Sequence, residues 1–578
     1  MQVIEKSFVQ NTPYDEKGAV YYKPVEKFVK FGTSGVRWLV KGASSLLTAD
    51  RLKYYISNGY ARNVGANVAL AEDFIAPNVG AIVKAIALYL IKKTCPAKKR
   101  LLITYDNRPG NLEYAAEAAK ILAAYGVTPV LSVCEKKFAP TPLPAGSRLV
   151  KDGGYAGHIM FTASHNGDEW NGIKFESPDG SAASPDITDE IGATLLEELS
   201  IKDPARPVTY KAAQGAVETL IADGVVETVD VIGHYVKAVL GYLSINAIKT
   251  AIKEGRVEFY YSAFFGSSGP AMVRLFRELS LTTDSIIEAA KSRDQAYVAS
   301  YEPTLEKLKK LMALVGERGE DAKSQGRDTV VIGGAADNDA DRFQVNEYNP
   351  GTGQVDEYTP EKLAAILGHY LCKYKGFKGP FGRSFVSGTL QDKVAALFAC
   401  AAIETPTGFK YAPRVFENGG VLFTEESYGL SFKNWTLDKD GILPSLLALE
   451  VVAVTGHSLG SYYLGILSEL KRAGLPSEIF FKRYDMPLES LSKKRAVDNF
   501  TGFFDSIIPG RTEFAGKNIT KVYDPKKYEG GMKFILDDGS WIALRASGTE
   551  PLIRLYVEAR GARENDLLRS AALKLMSI

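Results

Sequence analysis

The sequence predicts an α/β protein built from three consecutive mixed α/β sheet units, followed by a smaller C-terminal α+β unit. Three observations carry this. At 578 residues the chain is too long for one core, and ordinary domain sizes divide it into roughly three to five units. Short apolar runs alternate with helical patterns for most of the length, as in a sheet with helices packed on it. The last hundred residues change character and read as a meander of strands closed by a helix.

In chain order, residues 101–105 read as a strand, 112–125 as a helix and 127–133 as a strand, before Pro140-Thr141-Pro142 breaks the pattern. The apolar run 156–161 ends in small polar residues and so delivers a loop. The rhythm returns at 257–265 with an apolar-periodic stretch from Ala271, then at 329–332, 361–374 and 415–424. Residues 532–536, the turn Asp537-Asp538-Gly539 and residues 541–545 read as a hairpin. A strand over 553–558 and a helix from Glu564 complete the end. Pro and Gly make 202–207 and 349–353 the softest boundaries. The expected domains are therefore 1–205, 206–352, 353–478 and 479–578.

Composition narrows the function classes. Charged residues are 24% and hydrophobic ones 46%, with a formal net charge of +2 and no block of one sign. A nucleic-acid partner would call for a basic stripe, and none is present. Cys95, Cys134, Cys372 and Cys400 lie far apart without CxxC spacing, so they are expected to be reduced and mostly buried thiols. Residues 1–30 lack an apolar signal-peptide core, and no uninterrupted apolar run reaches the roughly 20 residues a bilayer requires. The expectation is a cytoplasmic protein with no membrane partner.

Four loops carry residue types suited to chemistry. Thr162-Ala163-Ser164-His165-Asn166 follows the run 156–161 and can hold one hydroxyl at a sheet edge, although taken alone it also reads as a turn. Asp337-Asn338-Asp339-Ala340-Asp341-Arg342 places carboxylates at i, i+2 and i+4, a set that can converge on a hard cation. An EF-hand is excluded, because its sixth and twelfth positions here are Arg342 and Tyr348. Glu425-Glu426-Ser427-Tyr428-Gly429 can read sugar hydroxyls, and resembles acidic turns as well. Arg545-Ala546-Ser547-Gly548-Thr549-Glu550-Pro551 can cradle a phosphate dianion, or form a plain turn between strands.

In this order the four loops resemble those of the α-D-phosphohexomutases. The resemblance extends to Phe31-Gly32-Thr33-Ser34-Gly35-Val36-Arg37, Tyr105-Asp106-Asn107-Arg108, Ala139-Pro140-Thr141-Pro142 and Thr407-Gly408-Phe409-Lys410. It implies four domains around a central cleft. It also implies an enzyme that moves a phosphoryl group between the C1 and C6 oxygens of a hexose through a phosphoserine and a hexose 1,6-bisphosphate. Ser164 then matches the phosphoryl carrier and His165 its catalytic neighbour, while Asp337, Asp339 and Asp341 match the Mg²⁺ ligands, completed by a phosphoserine oxygen. Arg37 and Lys174 match positions near the reacting oxygens, with Lys174 a candidate general acid or base. Glu425 and Ser427 match the sugar-reading pair. Arg545, Ser547, Gly548 and Thr549 match the loop for the non-reacting phosphate, and Arg342, Thr407, Gly408 and Lys410 match further substrate contacts. Mg²⁺ and glucose 1,6-bisphosphate, as priming activator, are the implied cofactors. A small sugar phosphate is the implied partner, with the chain a monomer or homodimer.

Three departures stand out: Gly167 where a proline is common after Ser-His-Asn, Thr424 where a glycine usually precedes the sugar-reading Glu, and Gly429 where some mannose-active members have histidine. None removes a carrier or a metal ligand. The loop Glu426-Ser427-Tyr428-Gly429, with Phe480-Phe481-Lys482-Arg483-Tyr484-Asp485, looks most like phosphoglucomutases. Phosphomannomutase is the runner-up, and phosphopentomutase and sugar-bisphosphate synthase activities stay open. From a different class, a Mg²⁺-dependent phosphatase would make Asp337 the nucleophile. A serine hydrolase would need a G-x-S-x-G elbow, which Ser164 lacks.

Overall fold

In the computed structural model, one short strand, Val36–Leu39, is described within residues 9–60, and it pairs antiparallel with Trp170–Glu176. The structure describes residues 1–8, 36–40, 61–64, 67–70, 76–93, 99–198, 208–289, 298, 300–304, 306–487, 490–528, 530–546 and 552–577. The chain divides into two compact units. One comprises residues 1–47, 70–359 and 428–460, the other 48–69, 360–427 and 461–578.

The first unit holds two mixed sheets. In one, Glu227–Val229, Thr128–Cys134, Arg100–Tyr105 and His158–Phe161 run parallel, and Trp170–Glu176 then turns back antiparallel. Its strands bury Leu101, Ile103, Ile159, Phe161, Ile173 and Phe175 against the helices Ala76–Lys93 and Asn111–Ala124. In the other, Ile286–Ile287, Val257–Ser262 and Val330–Ala336 are parallel, followed by antiparallel Phe343–Asn349 and Gln354–Tyr358. The Pro-Gly cluster at 349–353 forms the turn of the last hairpin, with Asn349 opposite Gln354. The boundary expected at 202–207 lies outside the described residues.

The second unit repeats the parallel pattern with Ala402–Thr405, Phe381–Ser384 and Leu422–Glu425. Its C-terminal part is an antiparallel sheet in the order Phe480–Pro487, Leu552–Ala559, Trp541–Ala546, Met532–Leu536, Lys517–Val522. The helices Ser490–Asp505 and Ala562–Met576 cover it through Phe500, Phe504, Leu568 and Ala572.

The hairpin over 532–546 and the closing strand and helix agree with expectation. Two apolar runs do not. The strand expected over 257–265 stops at Ser262, because Phe264 and Phe265 turn into positive φ. The run 415–424 is split: helix Ala412–Glu417 ends at Asn418, Gly419 takes φ 74°, and only Leu422–Glu425 is strand. Of the described cysteines only Cys372 is buried, while Cys134 and Cys400 are half-buried free thiols, so burial of most thiols is not observed. Among the described residues no single helix is long and apolar enough to cross a membrane.

Candidate active site

Three tight loops, each leaving the strand that ends a parallel run, carry the residues singled out in the sequence. They lie at 162–169 after His158–Phe161, 337–342 after Val330–Ala336, and 426–428 after Leu422–Glu425. Each holds one non-glycine residue in the left-handed region: Ser164 at φ 54°, Ala340 at φ 60° and Tyr428 at φ 65°. Such a conformation costs on the order of 1–2 kcal/mol per residue and persists only where surrounding bonds over-determine it.

In the first unit those bonds are visible. The Ser164 N–H donates to Thr162 Oγ1 at 2.7 Å, and the Ser164 hydroxyl lies 3.4 Å from Asp337 Oδ2. Asp337 Oδ1 accepts the N–H groups of Asp341 and Arg342, each at 3.0 Å, which leaves Oδ2 toward the serine. Lys174 Nζ lies 2.6 Å from both Asp339 Oδ2 and Asp341 Oδ2, and Lys439 Nζ lies 3.0 Å from Asp341 Oδ2. Arg37 donates to Asn166 Oδ1 at 2.7 Å, tying its strand to the serine loop. The His165 carbonyl accepts from Tyr301 N–H at 2.8 Å, and Arg342 Nη1 stands 3.7 Å from Glu302.

The three aspartates are fully buried, with carboxylate oxygens within 4.8 Å of one another. Burial, reinforced by Asp339 and Asp341, pushes the Asp337 carboxyl well above the usual range. Asp341 is held below it: burial works the other way and is outweighed by Lys174, Lys439 and Arg342. Burial would lower the Lys174 ammonium too, but Asp339 and Asp341 outweigh it and hold it above the ordinary lysine range. Asp339 Oδ1 and Asp341 Oδ1 remain buried without a hydrogen-bond partner among the described residues. Clustered carboxylates with two orphaned oxygens are the donor set of a hard divalent cation, so these residues fit Mg²⁺.

The second unit carries the other expected residues. Glu425, 6% exposed, accepts the Gly408 N–H through Oε1 at 2.9 Å. Gly408 has φ 120°, so a side chain there would be strained. Ser427 is half-buried, Thr407 Oγ1 is buried without a hydrogen-bond partner among the described residues, and Lys410 Nζ stands 5.3 Å from the Tyr411 ring centre. Arg545 lies near the end of Trp541–Ala546, opposite Arg554. Ser547, Gly548 and Thr549 lie outside the described residues, as do residues 31–35.

Sequence reasoning gave no role to Lys439. Its signal was Asp438-Lys439-Asp440-Gly441 ahead of an apolar helix. Asp440 accepts the Ile442 and Leu443 N–H groups at the helix start, at 2.7 and 3.0 Å. A Cβ at Gly441 would collide with the Arg342 carbonyl, so only glycine lets this segment approach the aspartate loop. Arg108 was likewise quoted without a role, and it proves to be buried against the serine loop.

Comparison with known proteins identifies the family. Models of the phosphoglucomutase/phosphomannomutase family match its alpha/beta/alpha domain I at residues 67–202, its alpha/beta/alpha domain III at 359–469 and its C-terminal domain at 511–575. A phosphoglucomutase of Aspergillus fumigatus is 27% identical over 485 residues, covering 79% of this chain and 83% of its own. A phosphoglucomutase/phosphomannomutase of Thermococcus kodakarensis is 26% identical over 448 residues, covering 77% and 83%. The open form of parafusin, a phosphoglucomutase of Paramecium, shares the fold with a TM-score of 0.70 at 20% identity, over 100% of this chain and 96% of its own. With three of its segments matched in order by one family's domains, this chain belongs to the α-D-phosphohexomutase superfamily.

Proposed function

We propose that the chain interconverts glucose 1-phosphate and glucose 6-phosphate, with Ser164 carrying the phosphoryl group between turnovers. The observation that carries this is the Ser164 hydroxyl 3.4 Å from Asp337, beside two buried carboxylates with orphaned oxygens. The new P–O bond forms at a sugar hydroxyl as the bond to Ser164 Oγ breaks. The resulting hexose 1,6-bisphosphate turns around and returns its other phosphate to Ser164. Asp337, Asp339 and Asp341 would hold Mg²⁺, which when bound neutralises charge on the transferring group. Lys174 is the candidate general acid or base, Arg37 braces the serine loop through Asn166, and His165 flanks the carrier. Arg545, with Ser547, Gly548 and Thr549, holds the non-reacting phosphate. Arg342, Thr407, Gly408 and Lys410 assist binding, and glucose 1,6-bisphosphate primes the serine. The reading goes with a cytoplasmic enzyme of four domains, acting as a monomer or homodimer.

Glu425 and Ser427 read two adjacent ring hydroxyls whose positions survive the flip, O3 and O4 being the natural pair. Such a pair ignores C2, where glucose and mannose differ. The Thermococcus relative, whose name includes both activities, supports mannose 1-phosphate as a second substrate. A C4 epimer would leave a buried carboxylate unpaired, costing about 1–3 kcal/mol or roughly ten- to a hundredfold in specificity. Assaying glucose, mannose and galactose 1-phosphates side by side tests this. Glucose should lead, mannose should be measurable and galactose poor, while equal turnover of galactose and glucose overturns the role of Glu425 and Ser427.

A further inference from the structure

The motif Tyr105-Asp106-Asn107-Arg108 takes no part in the chemistry above, yet its side chains join the two loops on which that chemistry depends. Arg108 is 5% exposed and uses every N–H of its guanidinium. Nη2 donates to the carbonyls of Ser164 and Asn166, both at 2.7 Å, and Nη1 to those of Gly167 and Trp170 at 2.7 and 2.9 Å. Nε donates to Asp106 Oδ2 at 3.2 Å. One fork thus binds four carbonyls of the serine loop and of the strand start that follows it.

Asp106 carries the link onward. Its Oδ1 accepts the Arg108 N–H at 3.0 Å and Asn111 Nδ2 at 2.8 Å. Its Oδ2 accepts Asn338 Nδ2 at 3.0 Å, and Asn338 stands between the ligands Asp337 and Asp339. Neighbouring bonds run the same way. Asn107 Nδ2 donates to the carbonyls of Phe265 and Gly266 at 2.8 and 2.7 Å, and the Ser267 N–H returns to the Asn338 carbonyl at 2.7 Å. A Cβ at Gly266 would sit 2.7 Å from the Asp337 carbonyl, so that approach is close as well.

We propose that Asp106 and Arg108 are positioning residues that hold the phosphoryl-carrying loop and the metal loop in one register, through Arg108 on the loop carbonyls and Asp106 on Asn338. The inference rests on Ser164 as carrier and the three aspartates as ligands. It adds that their alignment is set by a buried fork rather than by the ligands themselves. In-line transfer is sensitive to such alignment, and a shift of 1 Å can cost about a hundredfold in rate. Lysine keeps the charge but offers one compact ammonium in place of a five-donor fork.

The test compares full-length wild type, Arg108→Lys, Asn338→Ala and Ser164→Ala on glucose 1-phosphate with Mg²⁺ titrated, beside thermal unfolding of each. Arg108→Lys should lose about a hundredfold in kcat with KM changed less than about threefold, because the residues that bind substrate are untouched. Asn338→Ala should need about tenfold more Mg²⁺ for half-maximal rate. A lowered unfolding temperature with unchanged kcat per folded molecule would mean stability alone and overturn the role. An inactive Ser164→Ala beside a fully active Arg108→Lys overturns the positioning role only, whereas an active Ser164→Ala overturns the carrier reading. If Arg108→Lys does not fold, Asn338→Ala decides, and an unchanged Mg²⁺ requirement refutes the link.

Discussion

Two charge clusters, one in each unit and each with buried members, differ in what they leave undone. In the second unit Arg383 spends Nε and Nη2 on Asp392 and Nη1 on Glu404, at 2.8 to 3.1 Å. Lys533, 1% exposed in its side chain, meets Glu404 at 3.2 Å and the Phe385 carbonyl, and lies 3.9 Å from the Trp541 ring centre. This network joins the sheet of Phe381–Ser384 to the C-terminal sheet, with Glu404 Oε2 accepting from both Arg383 and Lys533. In the first unit Asp339 and Asp341 meet two lysines beside Asp337, and Asp339 Oδ1 and Asp341 Oδ1 have no hydrogen-bond partner among the described residues. Buried charge alone therefore does not mark a reactive site, since a closed network is structural. The mark is a cluster of buried carboxylates that keeps two acceptor oxygens over.

Mutating one carboxylate in each cluster should separate the two most widely. Asp339→Asn should cut turnover by on the order of a hundredfold or more and raise the Mg²⁺ requirement, with stability little changed. Asp392→Asn should instead destabilise by about 1–3 kcal/mol, read by denaturant unfolding, and leave the Mg²⁺ requirement as it was. If both variants moved both quantities alike, the distinction would fail. Arg545→Ala should act on binding, raising KM for both the 1-phosphate and the 6-phosphate by about tenfold, the worth of a charge-assisted bond. Unchanged constants for both substrates would remove it from the site.

A further effect is one of pH. Burial, against the pull of Glu404, brings the Lys533 ammonium down to about 8. Between that value and the ordinary lysine pKa of about 10.4 the unfolded chain holds a proton that the folded one has released, so stability rises with pH there. Relative to Lys533→Met, wild type should gain up to roughly 3 kcal/mol from pH 8 to pH 10.5 and nothing below pH 7. A flat difference across that window would mean that Lys533 titrates normally.

Much of the site is legible in the residues because it lies in short contiguous loops. Asp337, Asp339 and Asp341 converge through their own spacing, and Ser164 follows a recognisable apolar run. The rest is not local. Lys439 reaches Asp341 from 98 positions along the chain, and Asp438-Lys439-Asp440-Gly441 is the one hint of the close approach. Arg108 acts on carbonyls at 164, 166, 167 and 170, and backbone acceptors leave no trace in side-chain patterns. The fold was readable as strand–helix alternation. The antiparallel strands at one edge of each mixed sheet of the first unit were not, because alternation is silent about direction. The run 415–424 misled because apolar residues in a helix end and in a buried strand look alike until Gly419 separates them.

The central claim is that Ser164, and not Asp337, carries the phosphoryl group. Both lie at one end of a 3.4 Å contact, and both could be imagined as nucleophiles. The most direct measurement is intact-protein and peptide mass spectrometry after incubation with glucose 1,6-bisphosphate and Mg²⁺. The account predicts one phosphate on the peptide containing Ser164, stable to hydroxylamine and absent in Ser164→Ala. A hydroxylamine-labile phosphate on the peptide containing Asp337, persisting in Ser164→Ala, would contradict it.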